Sequence, residues 1–282
     1  MKSVSNTKPS PQDKKFLIGG IVRNCGNTLK DDVLFLQNAM IEYPDKYWFL
    51  VESDSEDNTV EVLRELETIV DNFRYISYGS LRKRIPARIN RIVFCRNKYL
   101  EEFENDPEYQ DADYVIMADF DGMNNCVTAK SIQSCWEKDD WTVVTANQWG
   151  PYYDIFALRH PIWSPNNCWE SQQFLAQLGL SEGDSKFVSV YSRMIQIPEA
   201  GEWIEVDSAF GGLAMYRADA IRGLRYQMID DTLAYEVCEH VPFHQLIKNQ
   251  GGRIFINPRM INAELTDHSI DFANWKKSQG KS

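Results

Sequence analysis

The stretch Asp113-Tyr-Val-Ile-Met-Ala-Asp-Phe-Asp121 decides how this chain reads. Val115, Ile116, Met117 and Ala118 form an unbroken apolar run with β-branched members, the pattern of a strand buried on both faces of a parallel sheet. Asp119 and Asp121 close it. Two positions apart on an extended chain, their side chains point to the same side. In an open α/β sheet, ligands bind at that end of the strands. Two aligned carboxylates repel unless a cation lies between them, and a divalent metal carrying a phosphate would serve. The plain alternative is a solvated strand end before the turn Gly122-Met-Asn-Asn125.

Upstream, apolar runs alternate with helix-period segments. Strands are expected at 16–22, 47–51 and 73–77, and helices at 29–43, 60–72 and 89–103. The loop Arg23-Asn-Cys-Gly-Asn27 follows the first strand, and Glu52-Ser-Asp-Ser-Glu-Asp-Asn-Thr59 follows the second. Asp57 and Thr59 there read as helix caps. The basic run 82–88 could steer an anionic ligand or be a solvated loop. Strand–helix units with short loops imply a parallel, doubly wound sheet.

Downstream, a helix is expected at 128–136 and a strand at 141–146. The next 60 residues or so are rich in aromatics, Pro and Asn, with one helix expected at 169–178. Phe210-Gly-Gly-Leu-Ala-Met-Tyr216 reads as a glycine turn and a strand, and paired glycines let backbone approach a ligand or turn sharply. A short helix at 218–224, a longer one at 236–249 and a strand after Gly251-Gly252 complete the pattern. Within 236–249, Glu236, His240 and His244 have the spacing of a helical metal face, without the His-Glu-x-x-His order of zinc enzymes.

At 282 residues with 43% hydrophobic content, the chain can bury one large α/β core. A net charge of −11 argues against nucleic acid and anionic membranes as general partners. No run approaches 18 apolar residues, so no integral membrane segment is expected. The polar N-terminus lacks a signal-like apolar core. Six cysteines without CxxC spacing are expected to be free thiols of a cytoplasmic, reducing environment. Residues 1–14 and 271–282 read as tails around a domain at 15–270.

The motifs, in order, resemble a nucleotide-sugar glycosyltransferase of the GT-A fold, closest to the capsule-type α-mannosyltransferases and the family-two-like enzymes. Those motifs are Val51-Glu-Ser-Asp-Ser-Glu-Asp-Asn-Thr59, Cys95-Arg-Asn97, Asp119-Phe-Asp121, Phe210-Gly-Gly-Leu-Ala-Met-Tyr-Arg217, Cys238-Glu-His240 and the late His268. The resemblance implies a Rossmann-like α/β fold with a mostly parallel sheet flanked by helices. It implies a nucleotide-binding half at 15–125 abutting an acceptor half at 126–270. A UDP- or GDP-sugar would be the donor, Mn²⁺ or Mg²⁺ the metal, and a glycan or other hydroxyl compound the acceptor. Asp121, Asp119 and His268 would hold the metal, with Asp119 also near the ribose. Glu52, Arg23, Arg96, Gly211 and Gly212 would contact the donor; Glu52 stands where the family usually has Asp. Glu239 occupies the place of the general base of inverting relatives, with Glu236 as the spare, whereas the similar acid of the capsule-type group belongs to retaining enzymes.

The aromatic segment suits a sugar acceptor, because C–H faces of sugars stack on rings. Asp154, Arg159 and Trp163 are the candidates, with core packing as the alternative for any single tryptophan. Two other classes fit parts of the sequence. Asp119-Phe-Asp-Gly122 resembles the opening of haloacid-dehalogenase-like phosphatases, with Asp119 as nucleophile and Asp230-Asp231 as metal acids. A non-catalytic sugar-binding module is the other.

Overall fold

The computed structural model describes residues 11–264 except Asp231 and Ala234, together with 269, 270 and 272. The expected metal ligand His268 lies outside the described residues, as does Asp231.

The alternation of strand and helix holds through the first half: β1 (Phe16–Val22), α1 (Leu29–Ala39), β2 (Lys46–Glu52), α2 (Thr59–Ile69), β3 (Phe73–Ser77), α3 (Arg88–Asn105) and β4 (Tyr114–Asp119). Then come α4 (Ala129–Gln133), β5 (Val143–Gln148), α5 (Cys168–Gln177), α6 (Glu182–Ser189), β6 (Ile204–Val206), β7 (Leu213–Arg217), α7 (Ala218–Ile221), α8 (His240–Asn249) and β8 (Ile254–Ala263). All eight strands form one sheet in the order β3-β2-β1-β4-β7-β5-β8-β6. The pairs β3–β2, β2–β1, β1–β4 and β5–β8 are parallel. The Rossmann-like, mostly parallel sheet flanked by helices is therefore present. β7 runs antiparallel to both β4 and β5, and β6 antiparallel to β8.

Side chains alternate across the sheet. Val115 and Met117 of β4 join a core with Val93, Tyr99 and Phe103 of α3, while Ile116 and Ala118 join a core with Val33 and Leu36 of α1 and Leu63 of α2. Burial on both faces is why β4 reads as a continuous apolar run.

Three expectations are corrected. The helix expected at 236–249 begins at His240, so Glu236 lies in the preceding segment and Glu239 is the residue before the first turn. The helix expected at 128–136 is five residues long, opened by reciprocal Thr128–Ser131 capping and followed by a 3₁₀ turn. β6 and α6 were not anticipated: a three-residue edge strand and a polar helix carry too little periodicity to stand out. Pro258 sits where β8 slips its register against β5, between Ile256 and Ile261, as a proline in a central strand must. Among the described residues, no helix is long and apolar enough to cross a membrane.

Candidate active site

The C-terminal ends of β1, β2 and β4 open on a cavity of about 630 Å³, within the size range of small-molecule sites. Of the expected residues, Arg23, Arg96, Asp119, Asp121, Asp154, Glu236 and Glu239 line it. They come from separated parts of the chain, and the sheet order brings them together.

Arg96 is the hub. It is 4% exposed on α3. Its Nε donates to Glu239 Oε1 at 2.8 Å, its Nη1 to Tyr99 Oη at 3.4 Å, and its Nη2 lies 3.6 Å from Asp119 Oδ1. The rings of Phe210 and Tyr226 flank the guanidinium at 5.2 and 5.7 Å. Burial opposes its charge, but Tyr99, Glu239, Tyr226 and Asp119 more than offset this and hold it protonated. Asp119 is pushed the other way. Loss of water raises its pKa well above the ordinary carboxylate range; Arg96 pulls it down, and Asp121, Asp154 and Glu239 push it up again. Asp121 stands exposed on the cavity wall just beyond the strand.

Backbone contacts fix the acids. Asp119 N donates to Gly212 O at 2.9 Å. Asp154 Oδ2 accepts from Gly211 N at 2.9 Å and its Oδ1 from Ala157 N at 3.1 Å. Gly211 and Gly212 have φ of +70° and +82°, the left-handed region that glycine enters without penalty. A Cβ on Gly212 would stand 3.1 Å from Met123 Cβ and 3.2 Å from Tyr153 Oη. The glycine pair turns the chain into antiparallel β7 and is not among the cavity-lining residues.

Glu52, Arg159 and Trp163 are likewise absent from the lining. Glu52 is 1% exposed and accepts from Ser55 N and from the Ser77 hydroxyl; a buried carboxylate has to be satisfied locally. Arg159 Nη1 donates to the carbonyls of Phe156 and Leu158. Trp163 packs edge-on against Tyr152 at 5.5 Å and donates Nε1–H to Arg193 O. Both side chains are engaged within their own segment, in packing and in bonds to backbone carbonyls.

The histidine face on α8 is also core. His244 Nδ1 and Nε2 each lie 2.9 Å from a hydroxyl, of Ser208 and Tyr216, and burial, with Arg96 nearby, pushes its pKa down to about 3. His240 stacks on Phe210 at 4.1 Å. Among the described residues, no group of three or more His, Cys, Asp or Glu is arranged as a metal cluster. All six cysteines are free. Asp230 lies in a different cavity from Asp119, its carboxylate accepting from Thr232 N and Oγ1.

Sequence reasoning missed two supports. Asp32 sits on the buried face of α1, where its Oδ2 accepts from Gly122 N at 2.7 Å and its Oδ1 from Asn124 N at 3.3 Å. It clamps the loop that carries Asp121. Burial raises its pKa to about 6, although both amides favour the charge. Its signal was available, an acid in line with Leu29, Val33 and Leu36. Asp54, at φ +61°, lies 3.3 Å from both Arg82 Nε and Arg91 Nε. Part of the basic run is thereby held on the loop after β2. Arg88 and Arg91 do line the cavity, as does Lys186 from α6.

No protein-family model and no curated protein sequence matches the chain. Solved structures do resemble it. TarS 1–349 of Staphylococcus aureus is 11% identical over 86% of this chain and 57% of its own, with a TM-score of 0.45. The mannosyltransferase PcManGT from Pyrobaculum calidifontis, in complex with GDP-Man and Mn²⁺, is 11% identical over 89% of this chain and 56% of its own, at 0.47. The galactosyltransferase LgtC, in complex with donor and acceptor sugar analogs, is 14% identical over 85% and 72%, at 0.40. The chain spans little more than half the length of the first two.

Proposed function

We propose that this protein is a metal-dependent glycosyltransferase that moves a sugar from a UDP- or GDP-sugar to a hydroxyl of a carbohydrate acceptor. The observation that carries the reading is the convergence of Asp119, Asp121, Asp154 and Glu239 with buried Arg96 on one cavity at the carboxyl ends of parallel strands. It rests also on the ordered motifs of the sequence.

The acids suit a divalent cation. Mg²⁺-type sites use one or two carboxylates together with substrate phosphates and water. Asp121, on the wall, and Asp119 supply that set; burial is the main cause of the raised Asp119 pKa, and a cation would relieve the added repulsion from Asp121, Asp154 and Glu239. When bound, such a metal would neutralise the diphosphate leaving group. Arg23, Arg88 and Arg91 add positive charge around the same cavity for an anionic donor. Arg96 positions Glu239 by its charge-assisted bond, and we assign Glu239 to receive the acceptor proton. Glu236 lies on the wall with its side chain 52% exposed, 3.8 Å from Arg88, and faces the space for acceptor hydroxyls. The two halves, 15–125 for donor and 126–270 for acceptor, follow from this assignment.

A thermal-shift screen of UDP- and GDP-sugars with and without Mn²⁺ tests it. A donor at 100 times its Kd stabilises the folded protein by about 2.7 kcal/mol. Asp121→Ala should lose the Mn²⁺-dependent shift and turnover, while its unliganded stability stays within about 0.5 kcal/mol, as for other exposed positions. No shift with any nucleotide-sugar would remove the transferase reading. Glu239→Gln should lower turnover by roughly 10²-fold or more; near-wild-type turnover would end its role as base.

A further inference from the structure

A second cavity, of about 240 Å³, opens beside the first, between the start of α3 and the segment before α8. Arg88, Ile89 and Glu236 line both cavities, so they form the threshold between them. Arg88 Nη1 and Glu236 Oε2 stand 3.8 Å apart, on side chains 59% and 52% exposed. A pair that long and that solvated contributes little, and hydroxyl groups can replace it on either side.

The smaller cavity has its own wall of Ile229, Leu233, Tyr235 and Asp230. Apolar and aromatic surface beside a carboxylate matches a pyranose ring, which offers C–H faces and hydroxyl donors together. Its volume is that of about eight waters in the liquid, room for one ring rather than a second nucleotide. The carboxylates of Asp230 and Glu236 also disfavour a phosphate. The wall is tied in place: Asn90 Nδ2 donates to Ile229 O at 3.0 Å, and Asn90 Oδ1 accepts from Ile229 N at 2.8 Å.

We propose that this second cavity binds a sugar ring, the neighbour of the one that accepts the transferred residue. The proposal rests on the glycosyltransferase reading and deepens it: the acceptor is an oligosaccharide of at least two linked rings. The accepting ring lies in the large cavity beside Glu239, and the chain crosses at Arg88 and Glu236 into the small one.

Saturation-transfer NMR on the whole protein tests this. The probes are methyl glycosides of glucose, galactose and mannose and their homodisaccharides, with diamagnetic Mg²⁺ and saturating UDP or GDP. At least one disaccharide should receive saturation on both rings and bind roughly tenfold more tightly than its monosaccharide, the gain expected from one ring's contacts. Leu233→Trp, at a position 41% exposed, should fill the small cavity without disturbing the core. It should abolish saturation of the second ring and the tenfold gain, and leave nucleotide and monosaccharide binding as in wild type. Equal affinity for mono- and disaccharides, no saturated second ring across the panel, or an unaltered second ring in Leu233→Trp would each overturn the proposal. Nucleotide binding, read separately by thermal shift, distinguishes that failure from failure of the transferase reading.

Discussion

The segment 16–119 and the segment 143–263 build one sheet by different means. In the first, four parallel strands take the order β3-β2-β1-β4 through helical crossovers; β1, β2 and β4 are largely apolar and buried, and β3 is the half-exposed edge. In the second, two antiparallel strands, a bulged strand and a long irregular stretch are held by side-chain bonds to distant backbone. Asn147 Nδ2 donates to the carbonyls of Ile197 and Pro258, and Asn262 Nδ2 to Gly211 O. The first segment is specified by local pattern and the second by long-range satisfaction of polar groups. The candidate site lies on the seam, where Arg96 of the first segment meets Glu239 of the second.

The largest structural effect is therefore expected at that seam. Arg96→Met leaves buried Glu239 and half-buried Asp119 without their cation and should destabilise the protein by about 3–5 kcal/mol, measured by urea unfolding. Adding Glu239→Gln should recover part of that loss. A single variant as stable as wild type would show that the seam does not depend on this pair.

A smaller effect is expected at the turn into β7. Gly212→Ala forces a φ of +82° on a residue with a Cβ and crowds Met123 and Tyr153. The expected cost is about 1–3 kcal/mol, with lower turnover, since Gly212 O holds Asp119 N. Unchanged stability would mean that the second segment can relax around the turn.

Asp32 reports on the first segment. Its folded pKa of about 6 lies above the 3.8 of a free Asp. Native Asp32 thus holds its proton more tightly than the unfolded chain does. That contribution is full below about pH 4 and is lost as pH rises through 6. Asn does not titrate. The stability of Asp32→Asn relative to wild type should therefore improve by about 1.4 kcal/mol per pH unit across that window. A pH-independent difference would refute the buried-carboxyl account.

The smallest change is expected at the far edge of the sheet, where exposed Arg253 pairs with Glu205 of β6. Arg253 also pairs with Asp140; because these side chains are exposed, Arg253→Gln should cost no more than about 1 kcal/mol by urea unfolding. A larger loss would show that the edge of the second segment depends on charge.

Legibility followed the same division. β1 and β3 lie where the apolar runs placed them; β4 ends on Asp119, so Asp121, expected on the same extended strand, lies just beyond it. Arg96 was expected to pair with the diphosphate or with Glu52; its acid partners are instead Asp119 and Glu239, the latter 143 residues away in the chain. Glu52 was implied as a donor contact by the family resemblance, while Ser55 and Ser77 take its oxygens. Trp163 and Arg159 lay in a sugar-like composition and turned out to pack and to hold backbone.

The sequence by itself determined the α/β class, the apolar strand that runs into Asp119 and the glycine turn later in the chain, because periodicity, burial on two faces and left-handed backbone are local properties. Only the tertiary structure decided which polar groups face the cavity. A buried carboxylate or guanidinium is satisfied by whichever donors and acceptors the fold brings within about 3 Å, and those partners come from elements distant in the chain.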